Sequence, residues 1–229
     1  MYNSLDWQEK TMSIKDKEKW DRRYHCKEYV YGKEPSDFLR QKINILAKGD
    51  ALVLAMGEGR NAVYLAQFGY TTTGIDISEF AIRKCIKLAK EKDVYVNGMI
   101  TDLDEDEMGK RKYDLITCFY FFDRSLLPKI ISMLKPQGMF ILEQFSIENP
   151  KQSTYGPRNP DYLIRPNELL ETFKLLKILY YEDTIVELNE AWWQGTAAIV
   201  RLIAQNCLTE NDMKKTELAL KWQAKHGRP

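Results

Sequence analysis

A continuous apolar run that ends in a glycine turn constrains the fold of this chain more than any other feature. Residues 51–56 read ALVLAM, and Gly57-Glu58-Gly59 follows directly, before a stretch with helical spacing. An unbroken apolar strand is typical of a parallel sheet that helices cover on both faces. The glycines allow a tight turn from this strand into the next helix. The pattern therefore predicts a βα unit of an α/β protein.

The same alternation of short apolar runs and helical spacing continues to about residue 205. The last two predicted strands have no long helix between them, so we expect a hairpin at the end of an otherwise parallel sheet. The sequence therefore predicts seven strands. They cover residues 51–56, 71–75, 94–99, 113–119, 139–145, 177–187 and 196–204.

Several local signals refine these elements. Gly69 follows a helix predicted at about 60–68 as its C′ residue, and Ser78 can cap the helix after it. The sequence Lys135-Pro136-Gln137-Gly138 favours a type I turn, and Pro166 favours the start of a helix. The helix capped by Ser78 has apolar residues at helical spacing that we expect to face the sheet: Ile82, Cys85, Ile86 and Ala89.

Charge and cysteine content exclude several classes of protein. Lys and Arg total 34 against 33 Asp and Glu, which argues against a nucleic-acid binder that relies on bulk positive charge. The four cysteines form no C-x-x-C pair and there are two histidines, so we expect no metal site. Scattered cysteines, the lack of an apolar leader and the lack of an apolar run of about 20 residues predict a cytoplasmic protein without membrane association.

Changes in polarity divide the 229 residues into three parts. We expect an N-terminal arm or lid over residues 1–35, a cofactor-binding domain over 36–205 and a C-terminal helical extension over 206–229. Thr209 with Asp212 is typical of a helix start in the extension. A monomer and a homodimer are both compatible with the sequence.

The glycine turn also predicts a nucleoside-cofactor site. Gly57, Gly59 and Ala62 match the pattern G-x-G-x-x-G/A between a strand and a helix, which brings main-chain amides close to a ligand. Asp76 ends the next strand, 17 residues after Gly59. An acidic side chain at that position can accept hydrogen bonds from both ribose hydroxyls.

Glu58 determines which cofactor we prefer. A dinucleotide would place its pyrophosphate at this turn, and two like charges about 4 Å apart repel by about 4 kcal/mol at an effective dielectric constant of roughly 20. S-adenosylmethionine has no phosphate and carries a sulfonium, an ammonium and a carboxylate. Main-chain amides for the carboxylate and an acid near the cations suit that mixture, so we predict S-adenosylmethionine in preference to NAD.

Aromatic residues near the predicted strand ends favour a cationic ligand, because aromatic faces attract a sulfonium. Phe119 ends the fourth strand, where open α/β sheets bind ligands. Tyr24 and Tyr31 lie in the N-terminal arm. Asp102 follows the third strand, where its carboxylate can accept a hydrogen bond from the adenine amine.

These motifs resemble those of class I S-adenosylmethionine-dependent methyltransferases, most closely the small-molecule enzymes of the tellurite-resistance and thiol (thiopurine) methyltransferase type. The resemblance covers about residues 20–205 and implies a Rossmann-like α/β fold, in which a seven-stranded, mostly parallel sheet has an antiparallel last strand and helices on both faces. It rests on the segments WDRRY (20–24), YGKEPSDFL (31–39), GEGRNAVYLA (57–66), GIDIS (74–78), YDLI (113–116), KPQG (135–138) and YGPRNPDYLIRPNEL (155–169).

The resemblance also implies roles for individual residues. Two positions depart from the family pattern, since Ala55 stands where the family has the first glycine of the loop and Val53 where it often has an acid. The residues expected at the cofactor are Gly57, Glu58 and Gly59 at the methionine part with Asn61 beside them, Asp76 and Ile77 at the ribose and adenine, Asp102 and Leu103 at the adenine, and Phe119.

The predicted function is methyl transfer to a small-molecule acceptor. A thiol or a tellurite- or selenite-like oxyanion would need no general base, and we identify no catalytic residue. Tyr24, Tyr31, Arg60 and Arg158 are the candidates for binding the acceptor, the two arginines through bidentate contacts with an anion. Two alternatives stay open: an NAD-type oxidoreductase on a Rossmann fold, and a non-catalytic module that binds S-adenosylmethionine.

Overall fold

A computed structural model of the protein describes residues 4–101, 111–190, 193–208 and 212. Within these ranges a single sheet of seven strands has the order β3-β2-β1-β4-β5-β7-β6. Strands β1 to β5 are mutually parallel, and β7 runs antiparallel to both of its neighbours. The strands are β1 Asp50–Leu54, β2 Thr71–Asp76, β3 Val96–Ile100, β4 Tyr113–Phe119, β5 Leu134–Phe145, β6 Lys177–Glu190 and β7 Trp193–Gln205. The predicted sheet is confirmed.

Helices pack on both faces of this sheet, as predicted. Alternate residues of β1 point to opposite sides, so Leu52 and Leu54 join one buried apolar cluster and Ala51 and Val53 join the other. The helices are α1 Ser4–Tyr24, α2 Asp37–Lys42, α3 Arg60–Gln67, α4 Glu79–Glu91, α5 Leu126–Met133, α6 Asn149–Gln152 and α7 Glu168–Thr172, with 3-10 turns at Ile43–Ile45 and Pro160–Tyr162. No helix of the described ranges is both long and apolar enough to cross a membrane.

The hairpin of β6 and β7 is longer than predicted. Its strands have 14 and 13 residues, and the pair Glu190 and Trp193 closes the ladder at the tip. The antiparallel partner of β7 on its other side is β5, where Glu143 lies opposite Arg201. The hairpin therefore carries side chains to the carboxyl end of β5.

The predicted C-terminal boundary of α3 and the predicted N-terminal cap of α4 are both confirmed. Gly69 follows α3 with a φ of 82°, in the left-handed region that favours glycine. The Ser78 hydroxyl accepts a hydrogen bond from the Ala81 amide at 3.3 Å at the start of α4.

Three local predictions are wrong. Ile86 is 52% exposed, because α4 packs on the sheet through a stripe in which Leu88 takes the place expected for Ile86. Gln137 has a φ of 65°, which a type I turn does not allow, and β5 instead runs back to Leu134. Helix α7 begins at Glu168 and not at Pro166, after Asn167 adopts a left-handed φ of 61°.

The predicted C-terminal extension, including its helix start at Thr209, lies outside the described residues except for 206–208 and 212. The predicted division into arm, domain and extension therefore stays a prediction.

Candidate cofactor and acceptor site

The turn between β1 and α3 is built from left-handed backbone positions. Ala55, Gly57 and Gly59 have φ values of 46°, 55° and 88°. A Cβ atom on Gly59 would lie 2.2 Å from the Cys85 sulfur, so only glycine fits there. Ala55 carries its Cβ in a conformation that costs an L-residue about 1–2 kcal/mol. This backbone strain accounts for the absence of the predicted strand at 55–56, since β1 ends at Leu54.

The start of α3 provides the donors that the glycine turn predicts. The helix begins at Arg60, and no side chain caps it at Gly59. The first amides of a helix point outward and carry a partial positive charge, so they suit a carboxylate or a phosphate. This uncapped helix end fits the carboxylate of S-adenosylmethionine.

Asp76 lies where the sequence predicts, at the end of β2 beside the glycine turn. Its Oδ2 accepts a hydrogen bond from the Gly57 amide at 2.7 Å, and its Oδ1 accepts one from the Ser78 amide at 2.9 Å. Burial raises the pKa of this carboxyl, and the two amide contacts counteract that rise. Each carboxylate oxygen can still accept a second hydrogen bond. Asp76 therefore fixes the turn and keeps acceptor capacity for a ligand, with half-buried Ile77 directly after it.

Glu58 is buried and already has two partners. Its Oε1 accepts from the Lys84 ammonium at 2.7 Å, and its Oε2 accepts from the Tyr31 amide at 3.2 Å. The ammonium offsets the charge of the carboxylate, so the repulsion that we expected between Glu58 and a pyrophosphate is smaller than about 4 kcal/mol. Sequence reasoning missed Lys84, which lies 26 residues from Glu58 in the chain.

The N-terminal arm lies against this turn. Tyr24 is 5% exposed, and a Cβ atom on Gly57 would lie 3.0 Å from its hydroxyl. Burial and then the charge of Asp76 raise the pKa of Tyr24 well above its usual value. Tyr24 stacks on Trp20 at 5.7 Å. The structure thus brings Tyr24 together with the cofactor-site residues that the sequence predicts.

A buried carboxylate lies next to this turn, at the carboxyl end of β5. Glu143 is fully buried and accepts from the Tyr120 hydroxyl at 2.8 Å, from the Ser36 hydroxyl at 3.1 Å and from Arg201 Nε at 2.5 Å. Phe119, predicted at the cofactor, ends β4 with 9% exposure and packs in the buried apolar cluster that also contains Ala51 and Val53. At the end of β4 the side chain that presents a polar group is therefore that of the next residue, Tyr120.

Ser36 connects this carboxylate to the glycine turn. Its amide donates to Oδ1 of Asn61 at 2.8 Å, so Asn61 faces the end of the arm. The neighbouring Arg60 donates to Glu190 Oε2 at 2.8 Å, and both side chains are mostly buried. Arg60, which the sequence analysis assigned to an anionic acceptor, is thus already paired with the carboxylate of Glu190.

Aromatic side chains surround the tip of the β6–β7 hairpin. Trp193 packs against four rings, with centroid distances between 5.3 and 5.8 Å. The sequence analysis named Tyr31 as a candidate for binding the acceptor, whereas the other members were not assigned to a site. We call these residues the aromatic cluster: Tyr31, Tyr120, Phe145, Tyr155 and Trp193.

One predicted site residue, Arg158, stays apart from this arrangement. Arg158 is exposed and donates to the carbonyls of Pro150 and Ser153, at 3.2 and 3.4 Å, so these hydrogen bonds brace its own loop. Asp102 and Leu103 lie outside the described residues.

Comparisons with known proteins identify the family of this chain. A family model for the tellurite resistance protein TehB matches residues 13–204. The chain is 25% identical over 152 residues to a probable S-adenosyl-L-methionine-dependent methyltransferase TehB of Haemophilus influenzae, covering 64% of this chain and 52% of that protein. It is 27% identical over 161 residues to a ubiquinone biosynthesis O-methyltransferase of Rickettsia conorii, covering 64% and 54% of the two chains. The chain thus spans about half the length of these relatives.

Solved structures show the same fold. The crystal structure of TehB from Haemophilus influenzae matches with a TM-score of 0.61 at 20% identity, over 83% of this chain and 66% of that one. An S-adenosylmethionine-dependent methyltransferase from Clostridium acetobutylicum matches with a TM-score of 0.55 at 16% identity, over 84% and 98%. The family model covers most of the chain, which confirms the resemblance seen in the sequence: the protein belongs to the TehB family of tellurite resistance proteins.

Proposed function

We propose that the protein is an S-adenosylmethionine-dependent methyltransferase that acts on a small-molecule acceptor. The observation that carries the proposal is the glycine turn, whose left-handed positions lead directly into the uncapped end of α3. Asp76 lies beside the turn at the end of the neighbouring strand. Family membership and the names of the two relatives agree with this assignment.

The residues of the turn have distinct tasks in this proposal. The cofactor, when bound, supplies an electrophilic methyl group. The amides at the start of α3 hold its carboxylate, and Asp76 accepts hydrogen bonds from the ribose hydroxyls. Tyr24 covers the turn and keeps water away from it. Methyl transfer depends chiefly on alignment of the two reactants, which such a closed site supplies.

The finer roles predicted from the sequence remain part of the proposal. Glu58, Asn61 and Ile77 are assigned to the cofactor, as are Asp102 and Leu103. Arg60 and Arg158 are assigned to the acceptor, although the salt bridge of Arg60 with Glu190 leaves it less available to an anion.

Calorimetric titration of the protein with S-adenosylmethionine and with NAD tests the cofactor. We expect binding of S-adenosylmethionine and much weaker binding of NAD. Gly57→Ala should weaken binding of S-adenosylmethionine at least about tenfold. The added Cβ disfavours the left-handed φ that the turn needs at the ligand, and it would lie 3.0 Å from the Tyr24 hydroxyl.

Gly69→Ala is the matched control. It places a Cβ at a similar positive φ, with open space around it and away from the turn. We expect a comparable loss of stability and unchanged binding of S-adenosylmethionine. Equal losses of binding in both variants, or NAD binding as tight as that of S-adenosylmethionine, would contradict the proposal. Methyl transfer from labelled S-adenosylmethionine to thiols, tellurite and selenite then tests the activity.

A further inference from the structure

Tyr120 has an unusual backbone conformation at the carboxyl end of β4. Its φ is 56°, in the left-handed region that bulky residues avoid, and it directly follows a central strand of the sheet. Such conformations persist where the surrounding structure holds them, and they cluster at functional sites. The conformation directs the Tyr120 hydroxyl to Glu143 Oε1, at 2.8 Å.

The pair of Tyr120 and Glu143 lies on the same edge of the sheet as the glycine turn. Strand β4 lies between β1 and β5, and Leu54 at the end of β1 is opposite Cys118. Ser36 then links the two places directly, since it donates to Asn61 through its amide and to Glu143 through its hydroxyl. A ligand held at the turn therefore has Tyr120 beside it at the next strand end.

The surroundings of Tyr120 suit an aromatic, uncharged ligand better than an anion. Tyr120 belongs to the aromatic cluster and packs against Trp193 at 5.8 Å and Phe145 at 5.3 Å. Two guanidinium groups near Tyr120 are paired with carboxylates, since Arg201 pairs with Glu143 and Arg60 pairs with Glu190, and Arg23 contacts the ring and hydroxyl of Tyr31. An oxyanion would have to compete with the two buried carboxylates, Glu143 and Glu190, for these arginines.

We propose that Tyr120 is a catalytic residue that, together with Glu143, removes the proton from a hydroxyl group on a small aromatic acceptor. This inference rests on the proposed methyltransferase function and names the acceptor class of that same site. It differs from transfer to a thiolate or an oxyanion, since those acceptors carry no proton that must leave.

The proton transfer balances in atoms and charge. The acceptor oxygen forms a bond to the methyl carbon while the bond from that carbon to sulfur breaks. The acceptor proton moves to Tyr120 Oη, and the proton of Tyr120 moves to Glu143 Oε1. The products are a methyl ether, a neutral thioether, tyrosine and a neutral carboxyl group. One positive and one negative charge disappear together, which a buried site favours.

Glu143 must be ionised to accept this proton. Burial raises the pKa of its carboxyl above the usual value, while Arg201 lowers it. The rate with a hydroxyl acceptor should therefore fall as the pH drops through this raised pKa. The charged and titratable groups around Glu143 and its partners Tyr120 and Arg201 are Glu182, Tyr180 and Glu190 on β6 and Arg60 on α3.

Two probes with the same ring test the proposal, namely catechol with a hydroxyl nucleophile and thiophenol with a sulfur nucleophile. Methyl transfer from labelled S-adenosylmethionine is measured for the full chain and for Tyr120→Phe. We expect kcat for catechol to fall about 100-fold, the usual size of a general acid–base contribution, while kcat for thiophenol changes less than about threefold. The acid limb that catechol shows with the unmodified protein should be absent from Tyr120→Phe, whereas the pH profile with thiophenol, set by ionisation of the thiol itself, should be the same in both proteins.

Tyr70→Phe is the matched control, because the Tyr70 hydroxyl is also a buried donor, to the Leu46 carbonyl at 3.4 Å, but at the opposite end of the sheet. It should leave both rates unchanged. Binding provides a readout that does not depend on turnover. Catechol titrated into the protein loaded with S-adenosylhomocysteine should bind about threefold to tenfold more weakly to Tyr120→Phe, the loss of one hydrogen bond. The affinity for S-adenosylhomocysteine should be unchanged in both variants, which shows that they are folded.

The outcomes separate this inference from the proposed function. Equal losses with both probes, or turnover of thiophenol but not of catechol, would overturn the role of Tyr120 and leave the methyltransferase intact. Failure of the unmodified protein to bind S-adenosylmethionine would overturn the methyltransferase itself. In that case the catechol titration, repeated without cofactor, still decides whether Tyr120 binds an aromatic hydroxyl.

Discussion

Replacement of Asp76 by alanine should have two effects that can be measured apart. The first is on stability without ligand, because the buried amides of Gly57 and Ser78 lose their acceptor. A buried donor without a partner costs about 1–3 kcal/mol, so we expect a loss of about 2–4 kcal/mol. For a domain of this size the melting temperature should fall by about 5–15 °C.

The second effect is on the cofactor. Hydrogen bonds to a charged group contribute about 1.5–3 kcal/mol, so Asp76→Ala should weaken binding of S-adenosylmethionine by about 10- to 150-fold. At a ligand concentration about 100 times the dissociation constant of the unmodified protein, the ligand stabilises that protein by about 2.7 kcal/mol. The same concentration should stabilise the variant by only about 0.3–1.4 kcal/mol.

Thermal unfolding with and without S-adenosylmethionine separates these effects. Asp114→Ala is the control, because Asp114 also accepts from a backbone amide, that of Asp50 at 2.8 Å, but at the opposite end of the sheet. It should lower stability without changing the stabilisation by ligand. An unchanged ligand effect in Asp76→Ala would remove Asp76 from the site, and unchanged stability without ligand would refute its role in holding the turn.

Two further changes test the turn and its surroundings. Ala55→Gly should raise the free energy of unfolding by about 0.5–1 kcal/mol, because the left-handed strain of about 1–2 kcal/mol that it relieves exceeds the about 0.4–1 kcal/mol lost to the greater entropy of glycine in the unfolded chain. A lower urea midpoint would contradict the strain at this residue. Lys84→Met should cost about 3–5 kcal/mol, since it leaves Glu58 buried without its cation. Lys33→Met, which breaks an exposed pair, should cost less than about 1 kcal/mol in the same unfolding assay, and equal losses would contradict this account.

The fold could be predicted because its signals are local. An apolar run such as 51–56 and the glycine turn after it fix a strand and a turn without reference to the rest of the chain. Ile86 shows where this reasoning fails, since periodicity alone does not decide which edge of an apolar stripe meets the sheet. The end of β1 was also misplaced, because the left-handed φ of Ala55 depends on the path of the turn and not on the residue type.

The candidate site was predictable only in part, for the same reason. Gly57, Gly59 and Asp76 are close in sequence or follow adjacent strands, so topology alone brings them together. The partners that set the charge of the site are distant along the chain. Arg60 and Glu190 are 130 residues apart, and Arg201 and Glu143 are 58 apart. Sequence patterns carry no signal for such pairs, and the proposed role of Tyr120 likewise depends on them.

The length of the hairpin of β6 and β7 determines where Glu190 and Trp193 lie, and so connects Arg60 beside the glycine turn with the aromatic cluster. Glu190 and Trp193 are paired at its tip, so their side chains emerge on one face of the sheet, one toward Arg60 and the other into the aromatic cluster. Because side chains alternate along a strand, one residue inserted into β6 would turn Glu190 to the opposite face, and one inserted into β7 would do the same to Trp193. The length of this hairpin is therefore as tightly specified as any single residue in the site, and a relative with a longer or shorter tip must have rebuilt both contacts.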